Sequence, residues 1–220
     1  MTRRQSYGLA ASLLSVLASV TSLIISPEIK GAPQSWQLIA LAVASISFYV
    51  IFSSFFYMME RLRHRKLLGR WYYSTKPYDN SSYKDGNFAV MRFFLNEDLD
   101  VEYSVELYPT INGLKNFGSE PSRGGAVSKA LHHNVKSGHI DLVFSVRYAT
   151  DDAAGSRDGR LSLQFKEGGI LQGDWTSEVS VYDDGDVKTK RELSSGTMFA
   201  ARPDRFFGLI EQVQGVQEDV

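Results

Sequence analysis

Two long stretches without a charged side chain lie near the start of this 220-residue chain and constrain its fold most strongly. The first runs from Gln5 to Pro27 and the second from Gly31 to Met59, and both consist mostly of aliphatic, aromatic and small residues. A helix crosses the hydrocarbon core of a bilayer with about 20 predominantly apolar residues, and each stretch reaches that length. The sequence therefore predicts a two-span transmembrane hairpin over residues 1–59.

A cleaved signal peptide is the alternative interpretation of the first stretch. Arg3 and Arg4 precede it, and the segment 18–20 offers small residues near a cleavage position. The apolar run is longer than the apolar segment of a signal peptide, however, and the second stretch follows almost at once. These two features favour the membrane hairpin.

The distribution of Lys and Arg predicts how the hairpin is oriented. Arg3 and Arg4 precede the first stretch, whereas the loop between the stretches holds one basic residue, Lys30. The second stretch is followed by a basic run: Arg61, Arg63, Arg65, Lys66 and Arg70. Short basic flanks stay on the cytoplasmic side, so both termini are expected in the cytoplasm. Residues 60–70 are expected to form a basic juxtamembrane linker.

The charge of the chain is unevenly distributed. Residues 1–70 carry a net charge of +6, and residues 71–220 carry −7. The basic excess lies beside the membrane, where anionic lipid attracts it, and the acidic distal domain argues against long nucleic acid as a partner. The absence of cysteine excludes disulfides and thiol chemistry and fits a cytosolic domain.

From Trp71 onward the pattern changes to short segments separated by turn residues, which is typical of β-strands. In the clearest segment, 139–148, apolar and polar side chains alternate. Eight strands are predicted, over residues 71–76, 87–95, 101–108, 126–135, 139–148, 160–166, 170–182 and 187–202. Pro203 ends the last strand, and Asp204 can cap a short helix over residues 205–213.

Eight consecutive strands without intervening helices favour an up-and-down antiparallel β-barrel, with a Greek-key sandwich as the alternative. The connections after the first, third and fifth strands are long, whereas those after the second, fourth and sixth are short. In a meander these two sets lie at opposite ends, so one end is tight and the other is an open mouth. The predicted fold is therefore two N-terminal transmembrane α-helices followed by a cytosolic eight-stranded β-barrel, residues 71–220, with a short C-terminal helix.

Motifs of catalysis and metal binding are weak in this sequence. His132, His133, His139 and Asp141 form the only cluster with metal-ligand residue types. Adjacent residues of a strand point to opposite faces, so the neighbouring histidines do not converge. No nucleophile with a base and no pair of carboxylates stands out. We therefore expect no enzyme, no metal site and no cofactor.

The predicted mouth is instead rich in aromatic and cationic residues. Aromatic rings stack on nucleobases, and Arg or Lys side chains pair with phosphate. A tyrosine taken singly more often belongs to a barrel core. The candidate ligand-binding residues are Tyr73, Thr75, Tyr78, Tyr103, Arg123, Tyr148, Trp175 and Lys190.

The segment Gly69-Arg70-Trp71 at the first strand, with Arg202 near the end of the last, resembles the signature of lipocalin-like (calycin) barrels. In those barrels the tryptophan plugs the tight end and an arginine of the last strand packs on it. The resemblance implies that Trp71 closes the tight end. Since the chain enters the barrel at Trp71, the mouth is expected to face the cytosol.

The order of two spans, a basic linker and a barrel resembles the two-transmembrane β-barrel CD-NTase-associated effectors of CBASS, bacterial anti-phage systems that signal through cyclic nucleotides. The resemblance implies a cyclic dinucleotide as ligand, and the bilayer of the bacterial inner membrane and further copies of the chain as partners. Ligand binding would drive oligomerisation, and the spans would then disrupt the inner membrane and kill the cell. The alternatives are a membrane-tethered carrier or sensor of an apolar ligand, and a membrane-anchored adaptor.

Overall fold

The structure of the chain is a computed structural model that describes residues 3–25, 31, 33–81, 86–116, 120–148, 157–183 and 186–215. The chain divides into two compact units. The first comprises residues 1–66 with 95–100, and the second comprises residues 67–94 with 101–220.

The first unit contains two packed helices, α1 (Arg3–Ile25) and α2 (Gln34–Arg63). A stripe of small residues on α1, which includes Ala11, Ser15 and Ser19, is buried to 3% exposure or less. The hydroxyl of Ser45 on α2 donates to the hydroxyl of Ser19 at 3.0 Å. Small residues let helix backbones approach closely, and the large apolar side chains of α1 are left on its exposed face.

α2 is long and apolar enough to cross a membrane, and it is the one helix of the described residues that meets this requirement. None of its apolar window is buried, and Trp36, Leu38 and Ile46 are 61–66% exposed. The sequence predicts two spans, so the described residues show one candidate where two were expected. The first predicted stretch ends at Pro27, beyond the described part of α1, and the hydroxyl residues that recur along α1 lower its mean hydropathy although they bond to its own carbonyls, as Ser19 does to Ser15.

The second unit is a closed barrel of eight antiparallel strands, in which each strand neighbours the next and the last pairs with the first. The strands are β1 (Gly69–Pro77), β2 (Phe88–Leu95), β3 (Val101–Tyr108), β4 (Gly124–Asn134), β5 (His139–Tyr148), β6 (Arg157–Lys166), β7 (Ile170–Asp183) and β8 (Asp186–Ala201). This confirms the up-and-down barrel and excludes the sandwich. The predicted strands are all present, with ends shifted by a few residues.

Trp71 closes one end of the barrel. Its side chain is 1% exposed, and its Nε1 donates to the carbonyl of Leu67 at 2.7 Å. The guanidinium of Arg202 lies over the indole, 4.1 Å from the ring centroid, and donates to the carbonyl of Arg70. Gly69 has a φ of +106°, and a Cβ there would lie 3.0 Å from Arg202 Nη1, so this position requires glycine. The predicted Trp71 plug and its arginine are therefore present.

The bulge in β4 sets which side chains face the interior. Ala126 pairs with Val146, and beyond the register shift between Ser128 and Ala130 it is Leu131 that pairs with Leu142. Before the bulge, near the mouth, the even-numbered residues of β4 therefore face inward. After the bulge, near the tight end, the odd-numbered residues face inward.

Two short helices, α3 (Ile111–Lys115) and α4 (Pro203–Gly215), build a second core on the outside of the barrel. Phe206 of α4 is fully buried against Tyr72, with ring centroids 5.8 Å apart. α4 confirms the predicted C-terminal helix. α3 was not predicted, because it is a single turn capped by Thr110 within a loop.

Candidate functional site

A cavity of about 70 Å³ lies inside the barrel, towards the end opposite Trp71. Large side chains such as Trp71, Met91 and Phe93 fill the tight end completely. Towards the mouth the inward positions hold smaller residues, among them Thr75, Ala126, Ser177 and Ser194, and space remains between them. The alternation of the strands therefore places the cavity next to the long loops, as the sequence predicts for a mouth.

Four aromatic side chains line the cavity: Tyr73, Tyr103, Phe144 and Trp175. Tyr73 and Tyr103 are buried, and their hydroxyls are hydrogen-bonded to each other. Burial raises the pKa of Tyr103 well above its usual range, and the hydrogen bond from Tyr73 opposes that rise. Trp175 faces Gly196 across the β7–β8 pair, and its Nε1 donates to the carbonyl of Thr197 at 3.2 Å. A Cβ on Gly196 would lie 2.8 Å from that nitrogen, so the glycine makes room for the indole.

Polar groups surround the outer part of the cavity. The backbone amide of Asn87 donates to Thr75 Oγ1 at 2.9 Å, and both residues line the cavity. Arg123 Nη1 donates to Asn87 Oδ1 at 3.4 Å, and the amide of Arg123 donates to the carbonyl of Leu107 at 2.8 Å. Because β3 lies between β2 and β4, the side chain of Arg123 crosses the end of β3 to reach Asn87. Arg123 therefore stands at the rim.

The electrostatic character of the lining is neutral to acidic. The described lining residues include no Lys, Arg or His, and they include one carboxylate, Glu178. Most of the remaining lining is hydrocarbon, supplied by residues such as Leu107, Val146, Leu161 and Met198. The guanidinium of Arg123 contacts this lining from the rim through its hydrogen bond to Asn87.

Of the eight predicted ligand-binding residues, Tyr73, Thr75, Tyr103 and Trp175 line the cavity, and Arg123 lies at its rim. The remaining three are placed differently. Tyr78 lies outside the cavity, where its hydroxyl donates to the exposed carboxylate of Asp174 at 2.6 Å, which raises the pKa of Tyr78. Tyr148 and Lys190 belong to β5 and β8, and their side chains lie outside the described residues.

Several lining residues were not singled out by the sequence. Phe144, Ser177 and Ser194 belong to the inward-facing set of their strands, and Asn87 immediately precedes β2. Alternation could have found them, but only after the register between strands was known. Asn87 and Ser194 in particular carry no local sequence signal that separates them from loop or surface residues.

Among the residues that the structure describes, no group of three or more His, Asp or Glu side chains is arranged to hold a metal ion. Comparison of the chain with family models, with curated proteins and with solved structures gives no match. The function is therefore argued from the geometry of the barrel and the helices.

Proposed function

We propose that this protein is a cyclic-dinucleotide receptor and a membrane-disrupting effector of bacterial anti-phage defence. The observation that carries the proposal is the presence, in one chain, of an aromatic-lined barrel cavity and a helix exposed and apolar enough to cross a bilayer. A receptor that acts on a membrane needs these two parts. The protein acts through binding and assembly rather than as an enzyme.

The proposed membrane part is the α1–α2 pair, with α1 as a second span and both termini in the cytoplasm of the bacterial cell. The exposed face of α1 carries Leu13, Val16 and Leu17, which are 56–65% exposed. A contiguous apolar surface of this kind is unfavourable in water and favourable in lipid. The basic residues at the ends of the pair support the cytoplasmic orientation.

The proposed ligand site is the cavity together with its rim. Tyr73, Tyr103 and Trp175 offer aromatic surface to a base, and Arg123 offers a cation to phosphate. Tyr148 and Lys190 are kept as proposed contacts at the mouth, because the β5 and β8 backbones lie in the barrel wall.

Coupling between ligand and membrane follows from the short connection in the chain. α2 ends at Arg63 and β1 begins at Gly69, and no Gly/Ser-rich linker separates them. A ligand that binds the assembled barrels better than single ones shifts the population towards the assembly. Assembly then raises the effective concentration of the attached helices, whose small residues favour close packing in lipid.

The test uses the full chain in lipid nanodiscs and in liposomes that contain a dye. We expect calorimetry to show binding of at least one member of a panel of cyclic dinucleotides, and the same compound to release the dye. Ile46→Asp places a charge on the exposed face of α2, so it should abolish release and leave binding unchanged. Absence of binding by every cyclic dinucleotide would overturn the receptor function.

A membrane-tethered carrier of an apolar ligand is the second candidate, and the hydrocarbon lining of the cavity favours it. A carrier would bind a fluorescent fatty acid in the cavity and would show no dye release. Fatty-acid binding together with no cyclic-dinucleotide binding would establish the carrier in place of the receptor.

A further inference from the structure

We infer that one nucleobase of a cyclic dinucleotide enters the barrel and that its sugar–phosphate ring stays outside, at the rim beside Arg123. This inference rests on the proposed receptor function and specifies how the site divides its ligand. It assigns the recognition of the base to the interior and the recognition of the phosphates to the rim.

The size of the cavity limits how much of the ligand can enter the barrel. A volume of about 70 Å³ is on the scale of a few water molecules, each of which takes about 30 Å³ in the liquid. A single purine or pyrimidine replaces a handful of waters, whereas a whole cyclic dinucleotide contains two bases, two sugars and two phosphates. The cavity is therefore too small for a whole cyclic dinucleotide, and a single base is the largest part of the ligand that we expect to enter it.

The charge of the cavity lining limits which groups of the ligand can enter the barrel. A phosphate moved from water into a low-dielectric interior without a cation costs several kcal/mol. The described lining residues supply no cation and include the carboxylate of Glu178. An uncharged base meets no such penalty, so the phosphates remain where solvent and Arg123 reach them.

The chemistry of the lining suits the faces and edges of a base. Tyr73, Tyr103 and Trp175 supply aromatic surface on which a base can stack. The hydroxyls of Thr75, Ser177 and Ser194 and the amide of Asn87 supply donors and acceptors for the polar edge. An elongated apolar ligand would gain nothing from this ring of polar groups.

Arg123 lies where the sugar–phosphate ring of an inserted ligand would emerge. Its guanidinium bonds to Asn87 Oδ1, and its backbone amide bonds to Leu107, and both of these partners line the cavity. A guanidinium at that place can exchange the amide oxygen for a phosphate oxygen, which is a stronger, charge-assisted acceptor.

The experiment compares two adjacent residues of β4 in the full-length protein in nanodiscs. Ala126 is buried and lines the cavity, whereas Val127 is 57% exposed on the outer face. Ala126→Met fills the space for a base and should weaken binding of the cyclic dinucleotide selected from the panel by at least about tenfold, or about 1.4 kcal/mol. Val127→Met should bind as the wild type does, and thermal unfolding of both variants checks the fold.

A fluorescence measurement on the wild-type chain keeps the test independent of the fold of Ala126→Met. A base stacked in the cavity should quench Trp175, and Trp175→Phe should remove most of the change in emission that ligand causes. Arg123→Gln should lower both the affinity and its dependence on salt, while the quenching at saturating ligand persists.

The outcomes separate this inference from the function on which it rests. Cyclic-dinucleotide binding that is insensitive to Ala126→Met, or that leaves Trp175 unquenched, would overturn base insertion and leave the receptor function standing. No binding of any cyclic dinucleotide to the wild type would overturn both.

Discussion

Trp71 stabilises the closed end of the barrel through both hydrophobic burial and electrostatic contacts of its side chain. Its ring is buried against Phe165 in an edge-to-face contact, and Arg202 covers its other side. The indole nitrogen is bonded to Leu67, so burial leaves no polar atom of the ring without a partner. The residue thus closes the barrel through packing, a cation–π contact and one hydrogen bond together.

Trp71→Ala should lower the free energy of unfolding by about 3–5 kcal/mol, because the ring leaves a large cavity at the tight end. Urea unfolding of the detergent-solubilised chain, followed by the β-sheet signal in circular dichroism, measures the change. The matched control is Val127→Ala, an exposed position where about 0.5 kcal/mol or less is expected. A loss below about 1 kcal/mol for Trp71→Ala would show that Trp71 is not the plug.

Tyr103 makes stability depend on pH in the alkaline range. Burial raises its pKa in the folded barrel, so the folded state keeps the phenolic proton at a pH where the unfolded chain has lost it. The stability that the protonated Tyr103 adds to the folded state is fully present below the unfolded pKa of about 10. It is lost as the pH rises beyond that value.

Tyr103→Phe should therefore lose less stability than the wild type between about pH 9 and about pH 11, even though its stability at neutral pH is lower. Urea midpoints at several pH values measure this slope. Val127→Ala, which removes no ionisable group from an exposed position, is the control and should keep the wild-type slope. An unchanged slope in Tyr103→Phe would mean that Tyr103 does not govern the alkaline loss.

At the scale of elements, α1 shows two faces with different roles. The buried stripe consists of small residues, whereas the exposed face carries Leu and Val. The spacing of Ala11, Ser15 and Ser19 at every fourth residue places them on one side of the helix. Close approach of the backbones then depends on small side chains at these positions.

Ser15→Leu should separate the two helices, because leucine does not fit in the buried stripe, whereas Ser12→Leu adds the same group to the exposed face. Since the chain contains no cysteine, a Ser19→Cys, Ser45→Cys pair reports the helix contact by disulfide formation in membranes. We expect Ser15→Leu to reduce this cross-link severalfold. Equal cross-linking in the Ser15→Leu and Ser12→Leu backgrounds would contradict the packed stripe.

At the scale of the whole molecule, the charge asymmetry separates a basic N-terminal part from an acidic barrel. Residues 1–70 carry +6 and residues 71–220 carry −7. Basic flanks are retained on the cytoplasmic side during insertion, and the loop between the two helices is poor in them. We therefore expect the sequence to set the orientation of the chain in a bilayer through a rule that does not depend on the folded barrel.

Reporter fusions at Gly31 and after Val220 should give opposite compartments, with Gly31 periplasmic and Val220 cytoplasmic. An alkaline phosphatase fusion and a green fluorescent protein fusion at each site measure this. As a control, exchanging the basic run 61–66 for neutral residues should weaken the preference. A periplasmic signal after Val220 would contradict the two-span topology.

The sequence alone determined the barrel and the plug. Alternation of apolar and polar residues specifies strands, loop lengths distinguish the two ends, and the resemblance of Gly69, Trp71 and Arg202 to the lipocalin-like signature indicated the tight end. These features are local or depend only on chain order, so a single sequence is enough to reveal them. The apolar character of α2 was determined in the same way, because composition alone makes a helix compatible with lipid.

Only the tertiary structure decided which side chains share the cavity. The pairing of β1 with β2 and with β8 brings Asn87 and Ser194 to the same cavity as Tyr73, although the three residues lie apart in the chain. Tyr78 was predicted as a ligand contact, yet the fold bonds it to Asp174 on the outer wall, because a loop can turn to either face. The direction of a loop side chain depends on contacts made after the barrel closes, and no local pattern in the sequence encodes them.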